Sequence, residues 1–185
     1  IEGHMSEKRR IHTYAVAEEA RKLSQRYGAD MEKAEIAALF HDFFRGIDKN
    51  KLNEYVGRFG LAPVYLNNAN LAHGKIAARI MERDFHITDP DIINAVCFHT
   101  TGRADMSRLE KILYLADAIE PNRDYPGVGE IRELAYRDLD EACLAALERS
   151  IEYVKCKGQY LHQDTVNARD RLTQTMKVND EWKNK

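Results

Sequence analysis

Apolar residues recur every three or four positions along most of the chain, which is the spacing that places side chains on one face of an α-helix. In the first such stretch, a shared face carries Val16, Ala17, Ala20, Leu23 and Tyr27. No stretch shows the sustained alternation of apolar and polar residues that is typical of a half-buried strand. The pattern therefore predicts an all-α fold.

Capping residues divide this pattern into separate helices. Ser6 stands where the first helix can begin, and Gly28 stands where it can end. Asp89 followed by Pro90 is a strong start signal, because proline at the first helical position loses no hydrogen bond that the helix needs. The expected helices are 6–27, 30–44, 48–60, 71–85, from 89 onward, 107–121, 130–136, 139–157 and from 164 onward, with 121–129 as an ordered loop.

The balance of acidic and basic residues limits the kinds of molecule that the chain is expected to bind. Among 185 residues, Lys and Arg total 28 and Asp and Glu total 30, which gives a formal net charge of -2. A general nucleic-acid or membrane-surface binder would show a basic excess, so we expect neither a nucleic acid nor a membrane as partner. The balance leaves room for a small phosphorylated ligand bound by a few local arginines and lysines.

The length fits one domain, which we expect to span residues 5–175, followed by a C-terminal tail at 176–185. Residues 1–4 precede Met5 and look like a remnant of an expression vector. The three cysteines are far apart and form no CxxC pair, so free thiols in a reducing compartment are expected. With no apolar run long enough to span a membrane, we expect the chain to be cytoplasmic.

Two acidic residues occupy positions where a solvated side chain is not expected. Asp42, preceded by His41, follows the apolar run 37–40. Asp117 lies at the margin of a helix face that carries Ile112 and Leu115. Burying a carboxylate is costly unless a cation or a hydrogen-bond donor compensates for the lost water. A single buried histidine is usually a core residue, but acids and histidines that recur together favour a shared metal cluster.

The donor types indicate which metals would bind. Imidazole and carboxylate ligands without thiolate suit iron, manganese, cobalt or magnesium better than structural zinc. One carboxylate can bridge two cations, and two metals roughly 3.5–4 Å apart lower the pKa of a bridging water while they clamp a phosphorus atom. The residues alone therefore favour a two-metal site that acts on a phosphorylated substrate.

The candidate ligands lie in short motifs spread along the chain. These motifs are Arg10-Ile11-His12-Thr13, Ala37-Ala38-Leu39-Phe40-His41-Asp42, Ala72-His73-Gly74, His99-Thr100-Thr101-Gly102 and Ala116-Asp117-Ala118-Ile119-Glu120-Pro121-Asn122-Arg123. An isolated His-Asp pair is a weak motif, whereas the ordered set is specific. The set resembles the HD superfamily of phosphohydrolases. More narrowly, nearly the whole chain is similar to the YqeK-type symmetrical bis(5'-nucleosyl)-tetraphosphatases.

The resemblance implies an all-α, HD-domain helical bundle with a metal site between helices. It implies two bound transition-metal ions. The expected metal is iron, and manganese and cobalt are the alternatives. One ion would be bound by His12, His41, Asp42 and Asp117, and the other by Asp42, His73 and His99. A hydroxide that bridges the metals would cut diadenosine tetraphosphate symmetrically, and the product would be two molecules of ADP.

The resemblance also implies catalytic and substrate-binding residues. His41 and Asp42 would act in catalysis together with Arg45 and Arg123. A guanidinium group offers phosphate a planar fork of donors, which makes arginine suited to this role. The implied substrate contacts are Arg9, Arg45, Lys75, Thr100, Arg103, Arg123 and the segment Tyr160, Leu161, His162, Gln163, Asp164 and Thr165.

Two other functions stay open at this point. An HD phosphohydrolase could act on another nucleotide, and a non-catalytic sensor could bind a nucleotide without hydrolysing it. A pure binder has no need for six metal ligands, which weighs against the sensor. A homodimer also stays open, because the sequence leaves the oligomeric state undecided.

Overall fold

The computed structural model describes residues 6–183, with side chains up to residue 178. Within this range the chain forms nine α-helices and one short 3-10 helix, and no strand. The predicted all-α fold is therefore confirmed. The helices are α1 (Glu7–Tyr27), α2 (Met31–Phe40), α3 (Lys49–Arg58), α4 (Ala69–Asp84), α5 (Pro90–Phe98), α6 (Arg108–Ile119), α7 (Val128–Arg137), α8 (Leu139–Cys156) and α9 (Gln163–Lys183), and the 3-10 helix is Pro63–Tyr65.

The predicted capping residues begin and end the helices as expected. The Ser6 side chain accepts a hydrogen bond from the backbone of Arg9 at the start of α1. Gly28 ends that helix in the left-handed conformation, with φ of 64°, which glycine adopts without strain. A full capping box opens α6, because Ser107 and Glu110 each bond the other's backbone N–H.

The second helix ends earlier than its apolar pattern predicts. The expected helix continues to residue 44, but α2 stops at Phe40 and residues 41–46 form turns. The turns carry Phe44 towards α3, where its ring lies 5.9 Å from that of Tyr55. Local periodicity cannot distinguish the two outcomes, because Phe44 is buried against a neighbour in either case.

Two apolar clusters fill the interior. The larger lies mainly between α1, α2, α5, α6 and α8, and its fully buried members include Val16, Ala37 and Ile112. The smaller lies between α3 and α4 and includes Leu52 and Ile76. The turns at 41–46 join the helices of one cluster to those of the other. His41 and Asp42 therefore lie at the junction of the two clusters.

The close packing of α4 against α5 depends on a glycine. A Cβ atom at Gly74 would lie 2.7 Å from the carbonyl oxygen of Val96 and 2.9 Å from Cε1 of His99. Both distances are shorter than a carbon atom can accept, so only glycine allows the two helices to approach this closely. His73 precedes this glycine, and the close approach brings it beside His99.

The predicted domain limits can be compared with the structure only at the C-terminal end. The tail expected at 176–185 begins inside α9, which continues to Lys183. Residues 1–4, expected to be a vector remnant, and the final two residues lie outside the described part of the chain. Across the described residues, every helix is too short or too polar to cross a membrane.

Candidate metal centre

The six predicted ligand side chains converge from five parts of the chain. They come from α1, the turn after α2, α4, the end of α5, and α6. The donor atoms form two sets, and within each set all donor atoms lie within 4.8 Å of one another. One set comes from His12, His41 and Asp42, and the other from Asp42, His73 and His99. Oδ1 of Asp117 adjoins the first set, 3.1 Å from Nε2 of His12. We name His12, His41, Asp42 and Asp117 the outer group, and Asp42, His73 and His99 the inner group.

Backbone carbonyls fix the orientation of three of the imidazole rings. In each ring Nδ1 faces a carbonyl oxygen of the preceding turn, and because a carbonyl can only accept, Nδ1 must carry the proton. In the neutral ring this leaves Nε2 as a bare lone pair directed into the cluster. The three contacts are His41 with Ala38 at 2.6 Å, His73 with Ala69 at 2.9 Å, and His99 with Val96 at 2.8 Å.

Burial keeps two of these rings neutral. It lowers the pKa of His99 to about 3, and the neighbouring His73 and His41 rings act in the same direction. Burial also lowers the pKa of His41. Both rings are therefore uncharged near neutral pH, which is the state in which an imidazole binds a metal ion.

The distances between facing nitrogens match those of neighbouring ligands on one ion. Nε2 of His73 lies 2.9 Å from Nε2 of His99, and Nε2 of His41 lies 3.3 Å from Nε2 of His12. Metal–imidazole bonds of roughly 2.1 Å at right angles separate two nitrogens by about 3 Å. Between His73 and His99, whose Nδ1 protons are directed to backbone carbonyls, two lone pairs face each other and repel, and a cation between them would convert the repulsion into attraction.

One carboxylate oxygen in the cluster accepts no hydrogen bond. Oδ1 of Asp42 is buried and has no well-oriented donor among the described residues. Nε2 of His73 lies 3.1 Å away, but the proton of that ring is directed to a backbone carbonyl. A buried anionic oxygen without a donor is costly. The residues present therefore fit a bound divalent cation, with Asp42 placed to contact both groups.

A second carboxylate orients the His12 ring. Oε1 of Glu120 lies 3.1 Å from Nδ1 of His12, and its Oε2 accepts from the backbone N–H of Asn122 at 2.7 Å. Glu120 is buried, so the contact holds Nε2 of His12 towards the cluster. The sequence interpretation gave Glu120 no role of its own. Its signal was an acid at the C-terminal end of a core helix, where the helix dipole disfavours a negative charge.

The acids around His12 also set the charge of the outer group. Burial lowers the pKa of His12, but hydrogen bonds and charges from Asp117 and Glu120 outweigh it and leave that pKa raised. Burial likewise works against ionisation of Asp117, yet His12 and Arg123 hold its pKa well below the usual value. Asp117 is therefore negatively charged at neutral pH and suited to bind a cation.

Three arginines surround the donors. Arg9 donates to Oδ2 of Asp42, and Arg123 donates to Oδ1 of Asp117 and to its backbone carbonyl. Arg45 lies 3.7 Å from Oδ1 of Asp42. These predicted phosphate contacts thus lie directly against the predicted metal ligands.

The loop that presents Arg123 is held by a further arginine. Arg132 of α7 donates to the backbone carbonyls of Ile119, Glu120 and Arg123, at 2.8, 2.9 and 2.7 Å. Three carbonyls bound by one guanidinium fix the chain between α6 and α7. Arg123 therefore projects from an ordered backbone.

A cavity of about 1190 Å³ opens beside the outer group. Of the predicted substrate contacts, Arg9, Arg45, Thr100 and Arg123 line it. Part of its wall comes from residues that the sequence interpretation missed, because they lie in none of the motifs and only tertiary packing brings α8 beside α6. These residues are Tyr114, Ala146, Arg149, Ser150 and Tyr153.

The remaining predicted substrate contacts lie elsewhere and do not line this cavity. Nζ of Lys75 lies 3.4 Å from the centre of the Phe98 ring and 3.8 Å from Oδ2 of Asp164. Arg103 forms two hydrogen bonds to the carboxylate of Glu110, at 2.6 and 2.9 Å. All six residues from 160 to 165 also lie outside the cavity wall.

The segment 160–165 packs against the 3-10 helix and α4. Its His162 ring stacks on Tyr65 with ring centres 5.7 Å apart, and Nε2 of His162 lies 3.2 Å from the Tyr65 hydroxyl. Its Asp164 contacts Lys75, whose Nζ lies over the ring of Phe98, the residue that precedes the inner-group ligand His99. The segment is therefore anchored on the inner-group side, whereas the cavity lies on the outer-group side.

Comparison with known proteins shows a clear relationship. The HD-domain family matches residues 9–122. A Bacillus subtilis protein named symmetrical bis(5'-nucleosyl)-tetraphosphatase is 38% identical over 89% of each chain. A Halalkalibacterium halodurans protein of the same name is 38% identical over 93% of this chain and 92% of its own. A 39% identical crystal structure from Clostridium acetobutylicum, described as a predicted HD superfamily hydrolase involved in NAD metabolism, superposes with a TM-score of 0.88 over 94% of this chain and 93% of its own.

Proposed function

The chain belongs to the HD-domain family, within the group of symmetrical bis(5'-nucleosyl)-tetraphosphatases, and from this premise we propose that it hydrolyses diadenosine tetraphosphate to two molecules of ADP. The relatives carry that activity in their names and match most of the chain. The observation that supports the proposal most strongly is the position of Asp42, which belongs to both donor groups. Arg9, Arg45 and Arg123 lie beside these groups.

The ligand assignment follows the two groups. The outer group would bind one ion and the inner group another, with Asp42 shared between them. Imidazole and carboxylate donors without thiolate suit iron, with manganese or cobalt as alternatives. Bound there, the two ions would supply a bridging hydroxide for attack on a central phosphorus and neutralise part of the polyphosphate charge.

The chain's own residues position the substrate. Arg45 and Arg123 lie beside the ligands and can donate to phosphate oxygens through planar guanidinium forks. Arg9 offers a third cation from the first turn of α1, and the Thr100 hydroxyl lies 3.2 Å from Nε2 of His99. Because a polyphosphate needs little covalent help, catalysis would come mainly from positioning and from charge neutralisation.

Product analysis tests the reaction. Protein loaded with iron under reducing conditions is incubated with diadenosine tetraphosphate, and the nucleotides are separated by chromatography. We expect ADP as the only nucleotide product, at two molecules per substrate consumed. AMP and ATP in equal amounts would show an asymmetrical cut and contradict the proposal.

A second candidate is hydrolysis of a different dinucleotide. The Clostridium acetobutylicum relative is described as involved in NAD metabolism, so the product analysis is repeated with a panel of other nucleotides that includes NAD. Preferred turnover of NAD would favour this candidate. Tight nucleotide binding without turnover of any compound would instead favour a non-catalytic sensor.

A further inference from the structure

The cavity beside the outer group has walls suited to a nucleoside. One face of α8 contributes Ala146, Arg149, Ser150 and Tyr153, whose spacing places them on the same side of the helix. Tyr125 also lines the cavity, and its ring is held by a hydrogen bond from its hydroxyl to the carbonyl of Ala118, at 2.9 Å. Apolar and aromatic walls with a few directed polar groups are typical of small-molecule sites.

Two large apolar side chains of the cavity are exposed to solvent. Tyr153 is 58% exposed and Ile11 is 53% exposed, and both line the cavity. Burial of such side chains is favourable when a flat apolar ligand covers them. An aromatic ring can stack on any nucleobase, because every base has a π-face. Arg149, whose contact with Glu152 is long at 3.6 Å, adds a cation to the same wall.

The cavity also has the size and position that half of a dinucleotide needs. Its volume of about 1190 Å³ is somewhat larger than that of common small-molecule sites, which span about 300–1,000 Å³. It reaches the metal ligands through His12, His99 and Asp117. A ligand in the cavity can therefore extend its phosphates to the centre where hydrolysis is proposed.

The substrate of the proposed function has two identical ends. One end is expected at the segment 160–165, which is anchored on the inner-group side. A chain of four phosphates that crosses both groups must then place its other end on the opposite side. We propose that the cavity between α1, α6 and α8 is the binding site for the second nucleoside, with Tyr153 as the stacking platform for its base. This inference rests on the proposed function.

The test counts nucleotide sites with the product as probe. ADP is titrated calorimetrically into the manganese-loaded protein, and we expect two ADP per chain. Tyr153→Ala should weaken one of the two sites by about tenfold, which is the loss expected for one stacked base. The same variant should raise KM for diadenosine tetraphosphate and leave kcat within about twofold. Because Tyr153 is largely exposed, its removal should not disturb folding.

Tyr14→Ala is the matched control. Tyr14 is 49% exposed on α1 and does not line the cavity, so both ADP sites should keep their affinities in this variant. In a further variant, Ser150→Trp, the new side chain would fill the cavity and should leave a single ADP site.

The possible results separate the inference from the proposed function. Hydrolysis of diadenosine tetraphosphate with only one ADP site per chain would overturn the second nucleoside site and leave the reaction standing. Two sites that keep their affinities in both Tyr153→Ala and Ser150→Trp would also overturn it. Two sites, one of them sensitive to Tyr153, in a protein without turnover would support the inference and contradict the proposed function.

Discussion

In the inner group, the side chains of His73 and His99 are fully buried and Asp42 is 2% exposed, whereas His12 and Asp117 of the outer group are 14% and 17% exposed. The rings of His73 and His99 are held by backbone carbonyls, while His12 is held by the Glu120 side chain. Folding of the helices thus determines the inner group. In the outer group a backbone carbonyl holds only the buried His41, whereas His12 and Asp117 depend on contacts with the side chains of Glu120 and Arg123.

This difference predicts that the two ions behave differently. An ion in the inner group would be held by almost fully buried ligands on packed helices, so we expect its release to be slow although His99 borders the cavity. An ion in the outer group adjoins the cavity and can leave by that route. Substitutions in each group test this contrast, and the residue that both groups share should give the largest effect.

The largest effect is expected for Asp42→Ala. Because Asp42 belongs to both groups, its loss should empty both metal sites and lower kcat/KM about a thousandfold or more, since bound metals supply several kcal/mol of catalysis. Elemental analysis and initial rates check the outcome, with Asp42→Asn as a variant of equal volume.

The control for this variant is His86→Asn. His86 is exposed in the loop after α4, with φ of 54°, and asparagine tolerates that conformation. Its metal content and rate should match those of the unchanged protein. Retention of both metals in Asp42→Ala would contradict the shared role of Asp42.

The next effect compares the two groups directly. His99→Ala should remove the inner ion and His12→Ala the outer ion, so each variant should retain about one metal per chain and lose about a hundredfold or more in activity. Metal content is measured before and after dialysis against a chelator. The ion that remains in His12→Ala should resist the chelator, and the ion that remains in His99→Ala should not. Equal rates of loss would remove the distinction between the groups.

Arg123→Ala should reduce activity without changing metal content. Its guanidinium would lose one charge-assisted contact to phosphate, worth about 1.5–3 kcal/mol, so kcat/KM should fall roughly tenfold to a hundredfold. Arg79→Ala is the comparison, because Arg79 pairs with Glu82 on the exposed surface of α4 and does not line the cavity. Equal losses in both variants would show that Arg123 has no special place in the site.

The smallest effect is expected for Glu120→Gln. The amide oxygen can still accept from Nδ1 of His12, but the negative charge that raises the basicity of the ring is lost. We expect about tenfold weaker binding at the outer group and no change at the inner group. Metal titrations followed by calorimetry check this. Weakening at both groups would show that Glu120 acts on the whole cluster.

Local signals in the sequence were enough to predict most of the fold. Ser6 and Asp89 cap helices in the structure as predicted, because an N-cap depends on a side chain and its nearest backbone. The end of α2 at Phe40 was predicted wrongly. After Phe40 the chain turns so that its side chains pack into both apolar clusters. Whether the helix ends there depends on contacts with helices that lie far away in sequence.

The candidate site also has a part that the sequence predicted and a part that it did not. The sequence order of the six ligand candidates, together with the family resemblance, was enough to propose a cluster, and the structure brings all six together. The wall formed by Arg149, Ser150 and Tyr153 could not be predicted, because these residues lie on a long amphipathic helix with no motif. Glu120 lay inside a recognised motif, but its role depends on the contact with His12, which is 108 residues away.

The missing side chain at Gly74 has a consequence for metal selectivity. Because α4 and α5 touch at this position, the distance between His73 and His99 is determined by backbone contact rather than by the ion. An ion of a different radius cannot adjust that distance by pushing the helices together, since no space is left between them. The preference of the inner group for one ionic radius would thus depend on Gly74, which is not itself a ligand. Substitution of Gly74 by alanine, which adds a single methyl group, would change that preference.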